Sequence, residues 1–176
     1  PLLRQKEHVA VILATQTLLG HPHWHIRHNE EGKPSLLPSE APGAWGSFGV
    51  SHHTSEEGIT WAVVGVWEKD TTGGLDLVDT QDPRIPRVAP RIMSAKECGE
   101  FVGLEPWVWA SKEAMFKGHG PKLDFRKDLS IRAIDELEGT IQGAVKGIPW
   151  HGGALRTSPG LLLSLIHISE PTRRYS

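Results

Sequence analysis

The chain has 176 residues, of which 38% are hydrophobic and 23% charged, and its formal net charge is −2. This composition predicts an ordinary folded protein of one domain or two small lobes. It excludes a general polyanion binder, so no nucleic-acid partner is expected and any affinity for phosphate must be local.

The first predicted element is a helix over residues 4–20, where apolar residues recur at helical spacing and Gly20 supplies a C-terminal cap. A short strand in "HWHIRH" follows, and "NEEGKP" supplies turn chemistry. Three strands are predicted next, in "SFGVSHH", "GITWAVVGVWE" and "TGGLDLVD". The middle strand is rich in Val and Trp, which favours a central place in a sheet.

The second half of the chain predicts helices and then strands. Residues 83–103 indicate an irregular helical region broken by prolines. A helix starting near Pro106 or Trp107 carries the stretch "WASKEAMFKGHG", in which Ala110 and Ala114 are small enough for close packing. Strands are predicted in "PKLDFRKDLSIRAI" and "TIQGAVKGIPW". The order of elements predicts an α+β fold with helices against mainly antiparallel sheet.

Cysteine content and hydropathy indicate the compartment. The single cysteine, Cys98, excludes a disulfide framework and a cysteine-based zinc cluster, and favours the reducing cytoplasm. No apolar run reaches the roughly 18 residues of a membrane span, so no membrane partner is expected.

Both ends of the chain are unusual. The sequence begins at Pro1 rather than Met, which indicates a fragment. The segment "LSLIHISEPTR", residues 163–173, resembles an in-frame translation of a DNA sequencing adapter. We therefore expect residues 163–176 to be an artefact outside the fold, with a genuine C-terminal segment as the alternative.

The helix motif has two interpretations. Lys112, Glu113 and Lys117 share one broad face with Trp109 at about 100° per residue. The simpler interpretation is a surface salt bridge between Glu113 and Lys117, worth about 0.2–0.5 kcal/mol. The alternative is a metal-binding Glu113 among phosphate-binding lysines.

Asp76 follows Gly73 and Gly74 in an apolar strand. Such a carboxylate usually points to solvent, and an inward one needs a partner because an unpaired buried charge is costly. If Asp76 and Glu113 converge, carboxylates from separate elements can hold Mg²⁺, which prefers hard oxygen ligands. Neighbouring lysines would then neutralise substrate phosphates.

Ser51 and His52 lie near the end of a predicted strand. A hydroxyl and an imidazole there can form a phosphate pocket, or simply cap the strand. A serine hydrolase is not indicated, because Ser51 lacks a GxSxG elbow and neighbouring strand residues project to opposite faces. Lys33, in the turn "EGKP", is expected to be solvated when it is considered alone.

Three histidines offer a different site. His21, His23 and His25 would share one face of an extended segment and could bind Zn²⁺ or Cu²⁺. No acidic residue at suitable spacing supports them. A histidine-based metal-binding protein is therefore a further alternative.

Four motifs occur in a particular order: "GKP", "SHH", "GLDLVD" and "WASKEAMFK". With "RIMSAKE" and "LDFRKDLSI", this set resembles the 4′-phosphopantetheinyl transferase superfamily, in its larger single-chain type, over residues 4–134. The resemblance implies a monomer of two similar lobes, each a helix on antiparallel sheet. We place them at residues 1–70 and 71–162, both incomplete at their outer ends.

The resemblance also implies an activity. The enzyme would transfer 4′-phosphopantetheine from coenzyme A to a serine of an acyl or peptidyl carrier protein, in a Mg²⁺-dependent reaction that releases 3′,5′-ADP. Asp76 and Glu113 would be the metal ligands, and Glu113 and Lys117 the catalytic residues, with Glu113 taking the serine proton. The implied coenzyme A contacts are Lys33, Ser51, His52, Lys112 and Lys117.

One departure from the family pattern concerns the metal. Many larger members read G-x-D-x-E, whereas Val78 stands at the position of that glutamate. Asp79 is one place later and is expected to face the opposite side of the strand from Asp76. A relative that binds coenzyme A or a carrier protein without catalysis is therefore the main alternative function.

Overall fold

The structure, a computed structural model, describes residues 2–20, 25–30, 32–37, 45–68, 71–157 and 160–169. Its helices are α1 (Leu2–Leu19), α2 (Ile85–Ile92), α3 (Ala95–Glu100) and α4 (Glu105–His119). Its strands are β1 (His25–His28), β2 (Pro34–Leu37), β3 (Trp45–Thr54), β4 (Thr60–Glu68), β5 (Thr71–Asp79), β6 (Leu129–Asp135), β7 (Thr140–Val145), β8 (Ile148–Thr157) and β9 (Leu161–Ser169). The chain is α+β, as the order of elements predicts.

The strands of the described ranges form three antiparallel sheets. β1 pairs with β2, β3 pairs with β4, and the third sheet has the order β5-β9-β8-β7-β6. β7 and β8 are joined at Lys146 and Gly147, whose φ angles are 49° and 84°. Two positive φ values in a row are typical of a tight type I′ hairpin turn. The single strand predicted in "TIQGAVKGIPW" is therefore two strands.

β4 does not occupy the central place that its composition predicts. In the part of the chain that the structure describes, β4 pairs only with β3. Helix α1 packs against both strands of this hairpin. The β3–β4 hairpin thus packs against α1, and Trp67 of β4 packs against β5.

Part of the segment expected to lie outside the fold, residues 163–169, belongs to β9. Its backbone pairs with β5 on one side and with β8 on the other. The adapter-like origin of this segment stays a prediction, and residues 170–176 lie outside the described ranges.

The main core lies between α4 and the five-stranded sheet. Its most deeply buried apolar residues are Val108, Ala110, Ala114, Met115, Leu129 and Ile141. Four of the six belong to α4, which packs against β5, β6 and β9. This helix therefore organises the C-terminal part of the molecule. Within the described ranges, no helix combines the length and the apolar character needed to cross a membrane.

Glycines allow α4 to approach β5 closely. A Cβ atom on Gly74 would collide with the carbonyl oxygen of Ala114, and one on Gly118 would lie 2.8 Å from the carbonyl carbon of Gly73. A Cβ atom on Gly73 would instead collide with the indole of Trp67, on the opposite side of β5. Even-numbered residues of β5 thus face α4, and odd-numbered ones face the β3–β4 hairpin.

We expect Gly118→Ala to lower the free energy of unfolding by about 1–3 kcal/mol, because the added methyl group would press on the backbone of Gly73 and Gly74. This loss should exceed the gain from the better helix propensity of alanine. Urea denaturation measures the change.

Gly99→Ala is the matched control, since Gly99 also lies in a helix but has open space around its Cα. This control should stabilise the protein by up to about 1 kcal/mol. Two variants with the same effect would contradict the close approach of α4 to β5.

Candidate functional site

A cavity of about 490 Å³ lies where the β1–β2 hairpin, β3, β5 and the end of α4 meet. Five of the seven site residues predicted from the sequence line it. They are Lys33, Ser51, His52, Asp76 and Lys117. Elements that are far apart in the sequence therefore deliver two lysines, a hydroxyl and a carboxylate to one space.

Asp76, Ser51 and Lys117 form a closed set of polar contacts in the cavity wall. Nζ of Lys117 lies 2.5 Å from Oδ1 of Asp76 and 3.1 Å from Oγ of Ser51. The Ser51 hydroxyl donates to the same Asp76 oxygen at 3.0 Å and accepts from the amide of Leu77 at 3.1 Å. These bonds tie β3, β5 and α4 together. Asp76 is buried instead of facing solvent.

Glu113 lies one turn before Lys117 on α4, close enough to Asp76 for that carboxylate to affect the pKa of Glu113. Burial raises the pKa of Glu113 and the Asp76 carboxylate raises it further, whereas Lys117 and a hydrogen bond from Trp109 lower it. The predicted surface salt bridge between Glu113 and Lys117 gives way to the ion pair of Lys117 with Asp76. Of the two acidic residues, Asp76 and Glu113, Asp76 lines the cavity.

Lys33 and His52 reach the cavity from different sides. Nζ of Lys33 donates to the carbonyl of Gly118 at 2.9 Å, so Lys33 connects the β1–β2 hairpin to the end of α4 and is not a freely solvated turn residue. Nδ1 of His52 lies 3.4 Å from Oε1 of Glu7 on α1. β3 continues beyond both Ser51 and His52, so neither residue caps the strand.

The structure contradicts the prediction that Lys112 contacts phosphate. The Lys112 side chain is completely buried, and its Nζ donates to Glu97 Oε2 at 2.8 Å, to the Ile92 carbonyl at 2.7 Å and to the Phe125 carbonyl at 2.9 Å. These three acceptors use all three N–H groups of an ammonium, and none remains for a ligand. At about 100° per residue, Lys112 and Lys117 point in directions about 140° apart around the helix axis. Lys112 therefore faces α3 while Lys117 faces β5.

Glu97 is the structural residue that sequence reasoning missed. Besides Lys112, its carboxylate accepts from the amides of Ser94 at 2.7 Å and Ile131 at 2.8 Å. Burial alone would raise the pKa of Glu97, but the bonds from Ile131, Lys112 and Ser94 outweigh it and lower that pKa. Ser94 and Glu97 form a capping box at the start of α3. The S-x-x-E pattern in "MSAKE" is a sequence sign of this arrangement.

The position of the third family ligand carries no acid. Val78 faces α4 and belongs to the hydrophobic core. Asp79 faces the other way, as the strand period predicts, with its Oδ2 atom 3.8 Å from Nε2 of His53. The described ranges hold no cluster of three or more His, Cys, Asp or Glu side chains that could bind a metal. Any metal here would have two protein carboxylates.

Those two carboxylates suit Mg²⁺. Both supply hard oxygen atoms, and Mg²⁺ commonly takes only one or two carboxylates and fills its other positions with water or phosphate. The proximity of Asp76 contributes to the raised pKa of Glu113, so a cation between the two would relieve their repulsion.

The histidine alternative falls mostly outside the described residues. His21 and His23 lie in an undescribed range, and His25 belongs to β1, where its backbone pairs with Leu37. This site therefore stays a prediction.

Comparison with known proteins does not identify a family. A scan against protein-family models finds no match, and a search of curated proteins finds no significant one. The function has to be inferred from the site itself.

We expect Glu97→Gln to lower the free energy of unfolding by about 3–5 kcal/mol, because it leaves the buried Lys112 ammonium without its counter-charge. Guanidinium chloride denaturation at neutral pH measures this loss. Glu100→Gln on the same helix is the matched control. Glu100 forms an exposed pair with Lys96 at 3.6 Å, so its replacement should cost less than about 1 kcal/mol.

The wild-type protein and the Glu97→Gln variant should also differ in how their stability depends on pH. Because the pKa of Glu97 is lowered by folding, its contribution is complete above its ordinary value of 4.5 and is lost as the pH falls through the folded-state value. The stability difference between wild type and Glu97→Gln should therefore shrink on acidification below that value. A difference that stays constant through this range would contradict the ion pair.

Proposed function

We propose that the chain is a 4′-phosphopantetheinyl transferase, a holo-[acyl-carrier-protein] synthase that uses Mg²⁺ and coenzyme A. The observation that carries this proposal is the meeting of Asp76, Ser51 and Lys117 at one cavity wall, with Glu113 beside them. Each of these residues comes from a motif of the resembled family. The contacts among these residues support the proposal separately from the order in which the motifs occur.

The cavity suits part of a nucleotide-like, anionic co-substrate. Its volume of about 490 Å³ is in the usual range for small-molecule sites. Lys33 and Lys117 supply positive charge and Ser51 supplies a hydroxyl, in a chain whose net charge is −2. His52 also lines the cavity, with its imidazole near Glu7. These four residues are the proposed contacts for the phosphates of coenzyme A.

The residues can also carry the reaction. Asp76 and Glu113 would hold Mg²⁺, which when bound would stabilise charge on the pyrophosphate of coenzyme A. The serine hydroxyl of the carrier protein attacks the phosphorus next to pantetheine, forming one P–O bond while the P–O bond to 3′,5′-ADP breaks. Glu113 accepts the serine proton. Lys117 stabilises the charge on the departing ADP.

The finer fold assignment belongs to the same proposal. A helix packs on antiparallel strands twice, α1 on the β3–β4 hairpin and α4 on the five-stranded sheet. This repetition supports two lobes that meet between β4 and β5, near residue 70. A monomeric, cytoplasmic enzyme with an acyl or peptidyl carrier protein as partner follows from the same resemblance.

Incubation with a fluorescent coenzyme A analogue, Mg²⁺ and several apo-carrier proteins tests the activity. We expect a fluorescent carrier protein whose mass increases by one labelled phosphopantetheine. Glu113→Gln should lower the rate by at least about 100-fold, because it removes both a carboxylate ligand and the proton acceptor. Glu105→Gln, on the first turn of the same helix, is the control and should leave the rate unchanged.

Two other outcomes are informative. Binding of coenzyme A without transfer to any carrier, at any Mg²⁺ or Mn²⁺ concentration, would favour the second candidate, a non-catalytic relative. Val78 in place of a third acid is the observation behind that candidate. Absence of both binding and transfer would contradict both functions.

A further inference from the structure

Lys117 occupies one of the two Asp76 carboxylate oxygens that a metal could use. Its Nζ lies 2.5 Å from Oδ1 of Asp76, and the Ser51 hydroxyl donates to the same oxygen. Mg²⁺ binds carboxylate oxygens at about 2.0–2.1 Å. An ammonium and a divalent cation cannot share this oxygen without strong like-charge repulsion at short range.

We propose that Lys117 and a divalent cation exchange at Asp76. This inference rests on the proposed function, which makes Asp76 and Glu113 the metal ligands. Lys117 is the counter-ion of Asp76 in the structure. When the metal binds, it displaces the ammonium, which moves into the cavity.

The exposure of the two side chains supports an exchange. The Asp76 side chain is only 9% exposed, so its carboxylate needs a positive partner when no metal is present. The Lys117 side chain is 37% exposed, and its four-carbon stem can redirect the ammonium while the helix stays in place. Ser51 is anchored by the amide of Leu77 and can hold the Asp76 carboxylate in position while the cation changes.

The exchange would couple two ligands. Lys117 lines the same cavity as Lys33. A displaced Lys117 ammonium adds a free positive charge to this cavity only when the metal is bound. Metal and anionic co-substrate would thus strengthen each other's binding by the same factor.

Calorimetric titration of the full chain with Mn²⁺, without coenzyme A, is the first test. We expect Lys117→Met to bind Mn²⁺ at least about fivefold more tightly than wild type, since the competing ammonium is gone. Lys127→Met is the control, because Lys127 is exposed and lies in a different segment. This substitution removes the same charge from the protein. Its affinity should match wild type. An unchanged affinity in Lys117→Met would overturn the exchange.

Removal of a nearby charge could tighten binding without any exchange, so a second measurement follows the ammonium itself. The ¹⁵Nζ resonance of Lys117, assigned by its loss in Lys117→Met, should shift when diamagnetic Mg²⁺ is added. The Lys112 resonance, from a fully bonded buried ammonium, serves as the internal reference. An unchanged Lys117 resonance in Mg²⁺-bound protein would mean that Lys117 stays on Asp76.

That result would overturn the exchange and leave the proposed function intact, with the metal on the other Asp76 oxygen. Two results of the Mn²⁺ titration would contradict both the exchange and the proposed function. If neither wild type nor Lys117→Met binds Mn²⁺, or if Asp76→Asn binds it as well as wild type does, Asp76 is not a metal ligand.

Discussion

The buried ion pair of Lys112 and Glu97 sets the rotation of α4, and the candidate site depends on that rotation. Lys112 connects α4 to the end of α2 and to the Phe125 carbonyl, while Glu97 connects α3 to β6 through the Ile131 amide. A buried pair of this kind adds little net stability compared with apolar packing, but it tolerates no loss of one partner. Its effect here is orientation, because fixing one residue of a helix fixes the direction of all the others.

β5 is the wall that α4 and the N-terminal strands share. Gly73 and Gly74 admit Trp67 on one face and α4 on the other, so the strand lies close to both. Asp76 follows on the face toward α4 and meets Lys117 there, while Ser51 reaches it from β3. The charged groups of the site are thus held by backbone packing on both sides of a single strand, with the Asp76 carboxylate buried and Lys117 partly exposed at the cavity.

Local patterns predicted much of this arrangement. Residue patterns predicted α1, with Gly20 as its cap, and also β3, β5 and α4. The motif order grouped Asp76 with the α4 residues. The motif alone did not predict which element the Lys112 side chain faces, because a short sequence motif does not determine how a helix is rotated against its neighbours. Glu97 was readable as a capping box. The turn at Lys146 and Gly147 was missed, although a polar residue followed by glycine between two apolar segments is a turn signal.

In the proposed function, Asp76 and Glu113 share one divalent cation beside Lys117. Anomalous diffraction from Mn²⁺-soaked crystals tests it most directly. The proposed site requires a single strong peak within about 2.0–2.6 Å of a carboxylate oxygen from each of the two residues. A peak elsewhere, or no peak while Asp76 stays bound to Lys117, would contradict it.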